Sequence, residues 1–323
     1  TSTLILTTAV LVATCFDSLA NDETWAEKLG FPAGRRVLML HCDDIGMCYE
    51  ANYAAKHYMT TNEYVRSCAM MVPCPWFNEI AAWCRDNPDH CMGLHLAMNS
   101  EWKYYRWPPV APAAEVPGMV DEDGYLWRGT LQTALKAPAS EVEKEIRAQI
   151  ERALALGIQP SHIDTHMGTL YARPDYTEAF FRCAMEYGIP ANVIEVTPRT
   201  EEKFRKRGIR QLDVLAKLIE SYTLPKLDDF DSVPNGDTYD EKVENFFALV
   251  RDLPPGLTEI IFHPSQETEG LKKITNSWKQ RSWESTMFDD PKVHQFFERE
   301  EIVFTSWVDI MDRWRKRTAA SSD

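Results

Sequence analysis

Residues 37–46 read Val-Leu-Met-Leu-His-Cys-Asp-Asp-Ile-Gly, an apolar run that ends on two adjacent carboxylates and a glycine. A short apolar run of this kind is typical of a buried strand. Neighbouring side chains at a strand end point in different directions, so one of Asp43 and Asp44 can bind a metal while the other faces a substrate. Gly46 permits a sharp turn or the close approach of a ligand. The alternative is that an Asp caps the following helix.

Six further runs resemble strands, with helical patterns between them. The seven predicted strands are 37–41, 65–72, 92–98, 162–166, 192–196, 259–263 and 302–306. The predicted helices include 49–61, 75–85, 140–157 with a capping box of Ser140 and Glu143, 174–188 and 308–316. This alternation predicts parallel β/α units. We therefore expect an α/β fold, a single barrel or near-barrel of about seven strands that spans 21–323, with its chemistry at the carboxyl ends of the strands.

The composition limits the kinds of partner. The chain has 323 residues, 44% of them hydrophobic, which is enough for one large core. Its net charge of −14 and the lack of a basic patch argue against nucleic acid as a partner. An acidic surface also disfavours anionic membranes. The stretch 228–240 is acidic and contains Pro234 and Gly236, so we expect an exposed loop there.

The first twenty residues resemble a secretory signal. Residues 4–14 are apolar, and Ser18-Leu19-Ala20 places small residues where a signal peptidase reads them. We expect a signal peptide at 1–20 and a secreted or periplasmic protein; the alternative is an apolar N-terminal element of the fold. The residues before Cys15 also resemble a lipoprotein box, although Thr14 fits that motif poorly. Lipidation of Cys15 therefore stays open. No other segment is long and apolar enough to span a bilayer.

Seven cysteines follow the predicted cleavage point, and none forms a Cys-x-x-Cys motif. A structural zinc knot is therefore not expected. The favoured interpretation is core filling, with room for one or two disulfides.

Two histidine motifs sit at other predicted strand ends. His95 lies in Gly-Leu-His-Leu, where a lone His is usually a satisfied core residue. His162, Asp164 and His166 alternate along one strand and so share one face. Asp164 can orient a ligating His, and His162 can serve as a support instead of a ligand. The alternative for this cluster is a buried polar network.

A carboxylate with two imidazoles leaves coordination positions open, as catalytic metal sites do. The mixed nitrogen and oxygen set favours zinc and also suits manganese, cobalt, nickel or iron, whereas magnesium prefers oxygen ligands. We therefore expect one divalent metal ion that polarises a carbonyl group and acidifies a water molecule.

Several residues further along the chain are candidates for substrate contacts. His263 ends a predicted strand and can act as an acid near neutral pH, although a surface His is the alternative. Arg281 follows in a polar stretch and can clamp a group at the mouth, although surface ion pairing with Glu284 explains it equally well. Trp102 and Trp107 lie in the long 99–137 segment, where they suit either stacking on sugar rings or a small core of the loop.

A resemblance to the YdjC-like (ChbG/HpnK) carbohydrate deacetylases rests on four motifs in this order: Asp43-Asp44-x-Gly46, Gly93-Leu94-His95-Leu96, His162-x-Asp164-x-His166 and His263-Pro264. It covers about 36–310 and implies a distorted TIM-like barrel.

The same resemblance implies roles for individual residues. Asp44, His95 and His166 would hold the divalent metal, often magnesium in this family. Asp43 would be the general base and His263 the general acid, acting on N-acetylated sugars. The chain departs from the family pattern at Cys42, where Ala is usual, and at Met167-Gly168, where further His residues are common.

These observations lead to one functional hypothesis with two alternatives. The hypothesis is a metal-dependent carbohydrate deacetylase that releases acetate from an acetylated sugar or oligosaccharide. The alternatives are a polysaccharide O-acetyl esterase that uses the same site, and a carbohydrate-binding protein without catalytic activity. The sequence leaves a homodimer open.

Overall fold

A computed structural model of the protein describes residues 23–209 and 211–320. The predicted signal peptide at 1–20, with Cys15, lies outside these residues. In the part of the chain described, no helix has both the length and the hydropathy needed to cross a membrane.

Seven strands form one parallel sheet, in the order β4-β3-β2-β1-β6-β5, with β7 paired to β1. The strands are β1 (Arg36–Ile45), β2 (Val65–Met70), β3 (Met92–Leu96), β4 (Ile163–Thr165), β5 (Asp229–Ser232), β6 (Gly256–Phe262) and β7 (Val303–Phe304). Because every pairing is parallel, the carboxyl ends of the strands lie at one edge of the sheet.

The sheet curls, and two isolated parallel bridges lie between its outer strands. One joins Ile163 of β4 to Ala191, and the other joins Ile194 to Leu227, just before β5. Within the predicted strand at 192–196, only Ile194 forms a bridge, and Ala191 lies just before this range. The α/β class and a curled parallel half-barrel of six to seven strands agree with the prediction. Closure of the sheet toward a TIM-like barrel is limited to these two bridges.

β1 is the centre of the sheet. It pairs with β6 along Arg36–Cys42, while β7 and β2 pair with its first and last parts. Val37, Leu38, Met39 and Leu40 are fully buried. Burial of such side chains contributes about 1.5–3 kcal/mol each. The strand that carries the paired carboxylates is therefore among the most firmly held parts of the fold.

Thirteen α-helices occur in the described residues. They are α1 (Trp25–Lys28), α2 (Tyr49–Thr61), α3 (Phe77–Asp86), α4 (Thr130–Lys136), α5 (Ala139–Ala155), α6 (Pro174–Tyr187), α7 (Pro198–Lys206), α8 (Leu212–Ser221), α9 (Tyr239–Asp252), α10 (Leu271–Ile274), α11 (Trp278–Met287), α12 (Pro291–Arg299) and α13 (Trp307–Ala320). The predicted helix at 49–61 matches α2.

Two local predictions were wrong. Ser140 does not cap α5, because the helix already begins at Ala139 after Pro138, and Glu143 instead pairs with Arg147. The acidic stretch 228–240 is not wholly an exposed loop, because it contains β5, whose buried Asp229 is neutralised by cations on α7.

The seven cysteines in the described residues are all buried and free, which agrees with core filling instead of disulfide bonding.

Candidate metal centre

The end of β1 presents both carboxylates through an unusual backbone. Asp44 has φ 62°, in the left-handed region that non-glycine residues seldom adopt, and Gly46 follows with φ 87°. The Gly46 N–H donates to Asn52 Oδ1 of α2 at 2.6 Å. A side chain at Gly46 would also press on the backbone of Met71 and Phe77 at 3.3 Å. This turn is therefore fixed from several sides.

Three buried ligand atoms converge at this edge of the sheet. Asp44 Oδ1 lies 3.2 Å from His166 Nδ1 and 3.5 Å from His95 Nε2. The two histidine nitrogens are 3.2 Å apart. All three residues are at most 3% exposed. Asp44, His95 and His166 therefore form a group of suitable type and spacing for a metal ion.

The outer nitrogen of each imidazole faces a carboxylate. His95 Nδ1 lies 2.6 Å from Asp164 Oδ1, and His166 Nε2 lies 3.0 Å from Glu101 Oε2. When each ring donates its outer N–H to its carboxylate, both inner nitrogens present lone pairs to Asp44. Asp44 Oδ1 has no hydrogen-bond donor among the described residues. Three converging acceptors fit a bound cation.

The charges around the centre support this conclusion. Burial alone would raise the pKa of Asp44, but the guanidinium of Arg281 and the His166 side chain hold that pKa well below its usual range. Arg281 Nη2 donates to Asp44 Oδ2 at 2.6 Å. Burial likewise opposes a charge on His166, yet Glu101 and Asp44 raise the pKa of His166 to about 10. The site thus favours positive charge where a metal would bind.

Asp43 lies beside this group and points differently, as the alternation of side chains predicts. Its Oδ2 is 4.0 Å from His263 Nε2, and its Oδ1 is 3.6 Å from His95 Nδ1. His263 is one-third exposed at the end of β6, and its backbone N–H donates to Glu284 Oε2 at 2.7 Å. Asp43 and His263 therefore face each other across the cavity beside the proposed metal ligands.

A layer of buried polar groups lies beneath the centre. His41 is fully buried, and His162 stacks on Trp307 with ring centroids 5.5 Å apart. His162 Nε2 is 4.0 Å from Asp164 Oδ2, and His162 does not line the cavity. Gly93 is required here, because a Cβ at this position would lie 2.4 Å from the His162 ring.

Burial and the neighbouring His41 lower the pKa of His162 well below its usual range. Although burial also opposes a charge on His41, contacts with Asp164 and Asp43 raise the pKa of His41 well above normal. Burial raises the pKa of nearby Glu259 to about 7. The pKa values of these two adjacent buried histidines are therefore shifted in opposite directions.

The centre opens into a cavity of about 1010 Å³. Asp43, Asp44, His95, His166 and His263 all contribute to its lining, together with Trp102 and Arg281. Trp107 does not line it; this ring is fully buried, edge-on to Trp102 and 6.2 Å from the His166 ring. Of the two predicted aromatic contacts, only Trp102 is placed to meet a ligand.

Two side chains of this centre, Glu101 and His41, are not predicted from the sequence motifs. Glu101 follows β3 in a polar loop, and no spacing relates it to His166. His41 is two residues before Asp43, so strand alternation places both on one face. This two-residue spacing could have identified His41 as a residue of the centre.

A curled parallel sheet whose strand ends bring a carboxylate and two imidazoles together defines an α/β protein with a candidate mononuclear metal centre. The sequence profile of the YdjC-like protein family matches residues 37–299, and the chain belongs to this family. It is 30% identical over 271 residues to a carbohydrate deacetylase of Thermus thermophilus, covering 83% of this chain and 92% of that protein. A carbohydrate deacetylase of Thermoanaerobacter pseudethanolicus is 26% identical, with 84% and 98% coverage.

The fold has a counterpart among solved structures. A crystal structure from Enterococcus faecalis, of a protein named for the cleavage of cellobiose phosphate, superposes with a TM-score of 0.70 at 19% identity. The match covers 85% of this chain and 99% of that one. It therefore extends to nearly the whole of the other protein's fold.

Proposed function

We propose that this protein is a metal-dependent hydrolase that removes N-acetyl groups from amino sugars or oligosaccharides and releases acetate. The observation that carries the proposal is the Asp44, His95 and His166 group with Asp43 beside it in one cavity. The names of the relatives, carbohydrate deacetylases aligned over more than 80% of this chain, support the same reaction class.

Asp44, His95 and His166 are the residues that would hold the divalent ion. Two nitrogen donors and one oxygen donor favour zinc, although magnesium fits if water completes its shell. When bound, the ion supplies Lewis-acid polarisation of the acyl carbonyl. Asp164 and Glu101 keep the two imidazoles in the tautomer that this binding needs.

Asp43 is the general base of the proposal. Its Oδ1 is buried, whereas its Oδ2 lies on the side of His263 and accepts a proton from the attacking water. Its position next to the ligands, without being one of them, suits this role.

His263 is the general acid. It is exposed enough to exchange protons with solvent, and it lies 4.0 Å from the base. The two groups can thus move a proton from the attacking water to the departing amine. The Glu284 contact to the His263 backbone fixes this end of β6.

A sugar fits the cavity above these groups. Trp102 presents an aromatic ring at the wall, with the Arg281 guanidinium 5.8 Å from its ring centroid. A volume of about 1010 Å³ is larger than one acetamido sugar requires, so it accommodates more than one ring. This size favours oligosaccharides over single sugars.

The test is acetate release from N-acetylated chitooligosaccharides, with chelator and with added zinc, magnesium or manganese. We expect release that stops with chelator and returns with one of the metals. A parallel panel of O-acetylated polysaccharides separates an esterase from an N-deacetylase. Oligosaccharide binding without any acetate release would refute the enzymatic proposal.

A further inference from the structure

We propose that His41 is a positioning residue, which holds the base Asp43 and the carboxylate of Asp164 in one fixed arrangement. The inference rests on the proposed function, because it assigns His41 a part in placing the general base. It assigns a role to His41, which belongs to none of the four sequence motifs and takes no part in the proposed mechanism.

One imidazole edge spans the two carboxylates. His41 Nε2 lies 3.2 Å from Asp43 Oδ1 and 3.0 Å from Asp164 Oδ2. The other oxygen of Asp164 lies 2.6 Å from His95 Nδ1. His41 is therefore linked through Asp164 to a proposed metal ligand and directly to the proposed base.

The His41 ring is itself held in place. Its Nδ1 is 2.8 Å from Ser67 Oγ on the neighbouring strand and 3.6 Å from Glu259 Oε1 on β6. The His162 ring packs against it edge-on, with centroids 4.8 Å apart. His41 is 0% exposed, so water cannot replace these contacts. These contacts restrain the orientation of the ring.

This arrangement decides which oxygen of Asp43 is available. Oδ1 of Asp43 is buried beside the His41 ring, 3.2 Å from Nε2, with no other hydrogen-bond partner among the described residues, whereas Oδ2 lies toward His263. Without the His41 ring, the Asp43 carboxylate could rotate. Asp164 would also lose the partner that fixes its second oxygen. Misplacement of a reacting group by about 1 Å costs on the order of 100-fold in rate.

A competing explanation for the same atoms is a second cation site. His41, His162 and Asp164 also have ligand types and spacing that could hold a metal. The positioning role predicts one zinc ion per chain in the wild-type protein. Two tightly bound zinc ions, falling to one in His41→Asn, would overturn it.

The experiment is a cycle of His41→Asn, Asp164→Asn and the double variant, each titrated with Zn²⁺ alone against a chromophoric chelator. We expect His41→Asn to weaken zinc binding about tenfold, the usual scale for a group that supports a metal ligand. In the Asp164→Asn background the same change should weaken binding less than twofold, because His41 acts on the metal through Asp164. Equal factors in both backgrounds would mean that His41 merely supports the fold, and would refute the proposal.

Kinetics on N-acetylated chitooligosaccharides complete the test. His41→Asn should lower kcat about 100-fold and leave KM within about threefold, because the base is misplaced while the sugar contacts persist. Wild-type kcat in His41→Asn would overturn the proposal. If the wild-type chain releases no acetate from any substrate, the proposed function fails, while the zinc cycle still decides the link between His41 and Asp164.

Ser67→Ala is the variant to use if His41→Asn does not fold. It removes only the hydroxyl at His41 Nδ1, and Ser67 touches neither the cavity nor the proposed ligands. We expect a smaller change in the same direction in zinc affinity and in kcat. No change in either quantity would count against the proposal.

Discussion

Asp164 divides its two carboxylate oxygens between two histidines, with Oδ1 2.6 Å from His95 Nδ1 and Oδ2 3.0 Å from His41 Nε2. The three residues belong to β4, β3 and β1, so one carboxylate joins three strands of the sheet. Burial opposes its charge, but His95 and His41 lower the pKa of Asp164 below its usual range. The carboxylate therefore stays ionised and holds both rings.

The first prediction concerns the general base. Asp43→Asn should lower kcat by about 10²–10⁴-fold, the usual contribution of a general base, because the amide cannot take up the proton. Zinc binding should persist, since Asp43 is not among the three proposed ligands. The measurement is acetate release together with metal analysis of the same sample. Retained turnover would show that another group is the base.

The second prediction separates a proposed ligand from the group that orients it. His166→Ala should lose both zinc and activity, because it removes one of the three converging atoms. Glu101→Gln keeps the ring and removes only the charge at His166 Nε2, so it should weaken zinc binding about tenfold. Equilibrium dialysis with Zn²⁺ measures both variants. Unchanged metal content in His166→Ala would contradict its assignment as a ligand.

The residues that the sequence could place are those that end apolar runs. The 37–46 pattern placed Asp43 and Asp44 at a strand end, because a buried strand tolerates ionised groups only where it meets a polar site. The 162–166 alternation predicted that Asp164 shares a face with His162 and His166. In the structure, the oxygens of Asp164 lie instead against His95 and His41. Glu101 could not be found in this way, because its position depends on how an irregular loop folds back over His166.

The same physical distinction explains the errors in the fold. β5 is short and rich in Asp, so its pattern resembles a loop. It forms a strand because Arg199 and Lys203, on a helix about thirty residues earlier, neutralise the buried Asp229. The 192–196 run gives the opposite error. Its apolar pattern predicts a strand, but only isolated bridges form in this region. Both outcomes depend on partners distant in the sequence.

The third prediction concerns substrate contact. Trp102→Ala should raise KM for chitooligosaccharides roughly 3–10-fold, the scale of one lost aromatic contact, with little effect on kcat. Tyr104→Ala is the matched control, because Tyr104 lies on the same loop, is 79% exposed and does not line the cavity. Steady-state kinetics of both variants would decide. Equal effects would indicate a general disturbance of the loop.

The last prediction follows from Glu145, which anchors the long loop between β3 and α4. Its carboxylate accepts backbone N–H groups of Val110 and Ala111 at 2.9 and 2.8 Å. Burial nevertheless raises the pKa of Glu145 from 4.5 to about 7. Because the folded pKa exceeds the unfolded one, the stability contributed by protonated Glu145 is complete below about pH 4.5 and is lost as the pH rises through 7.

Glu145→Gln removes this titration, so the wild type should lose stability relative to the variant between about pH 5 and 8. The difference should approach roughly 3 kcal/mol, since each pKa unit corresponds to about 1.4 kcal/mol. Urea unfolding at several pH values measures it. Glu141→Gln is the control, because Glu141 lies one turn earlier, also accepts a backbone N–H, and is only half-buried. Parallel pH profiles for wild type and Glu145→Gln would show that burial of this carboxyl does not govern the stability of the loop.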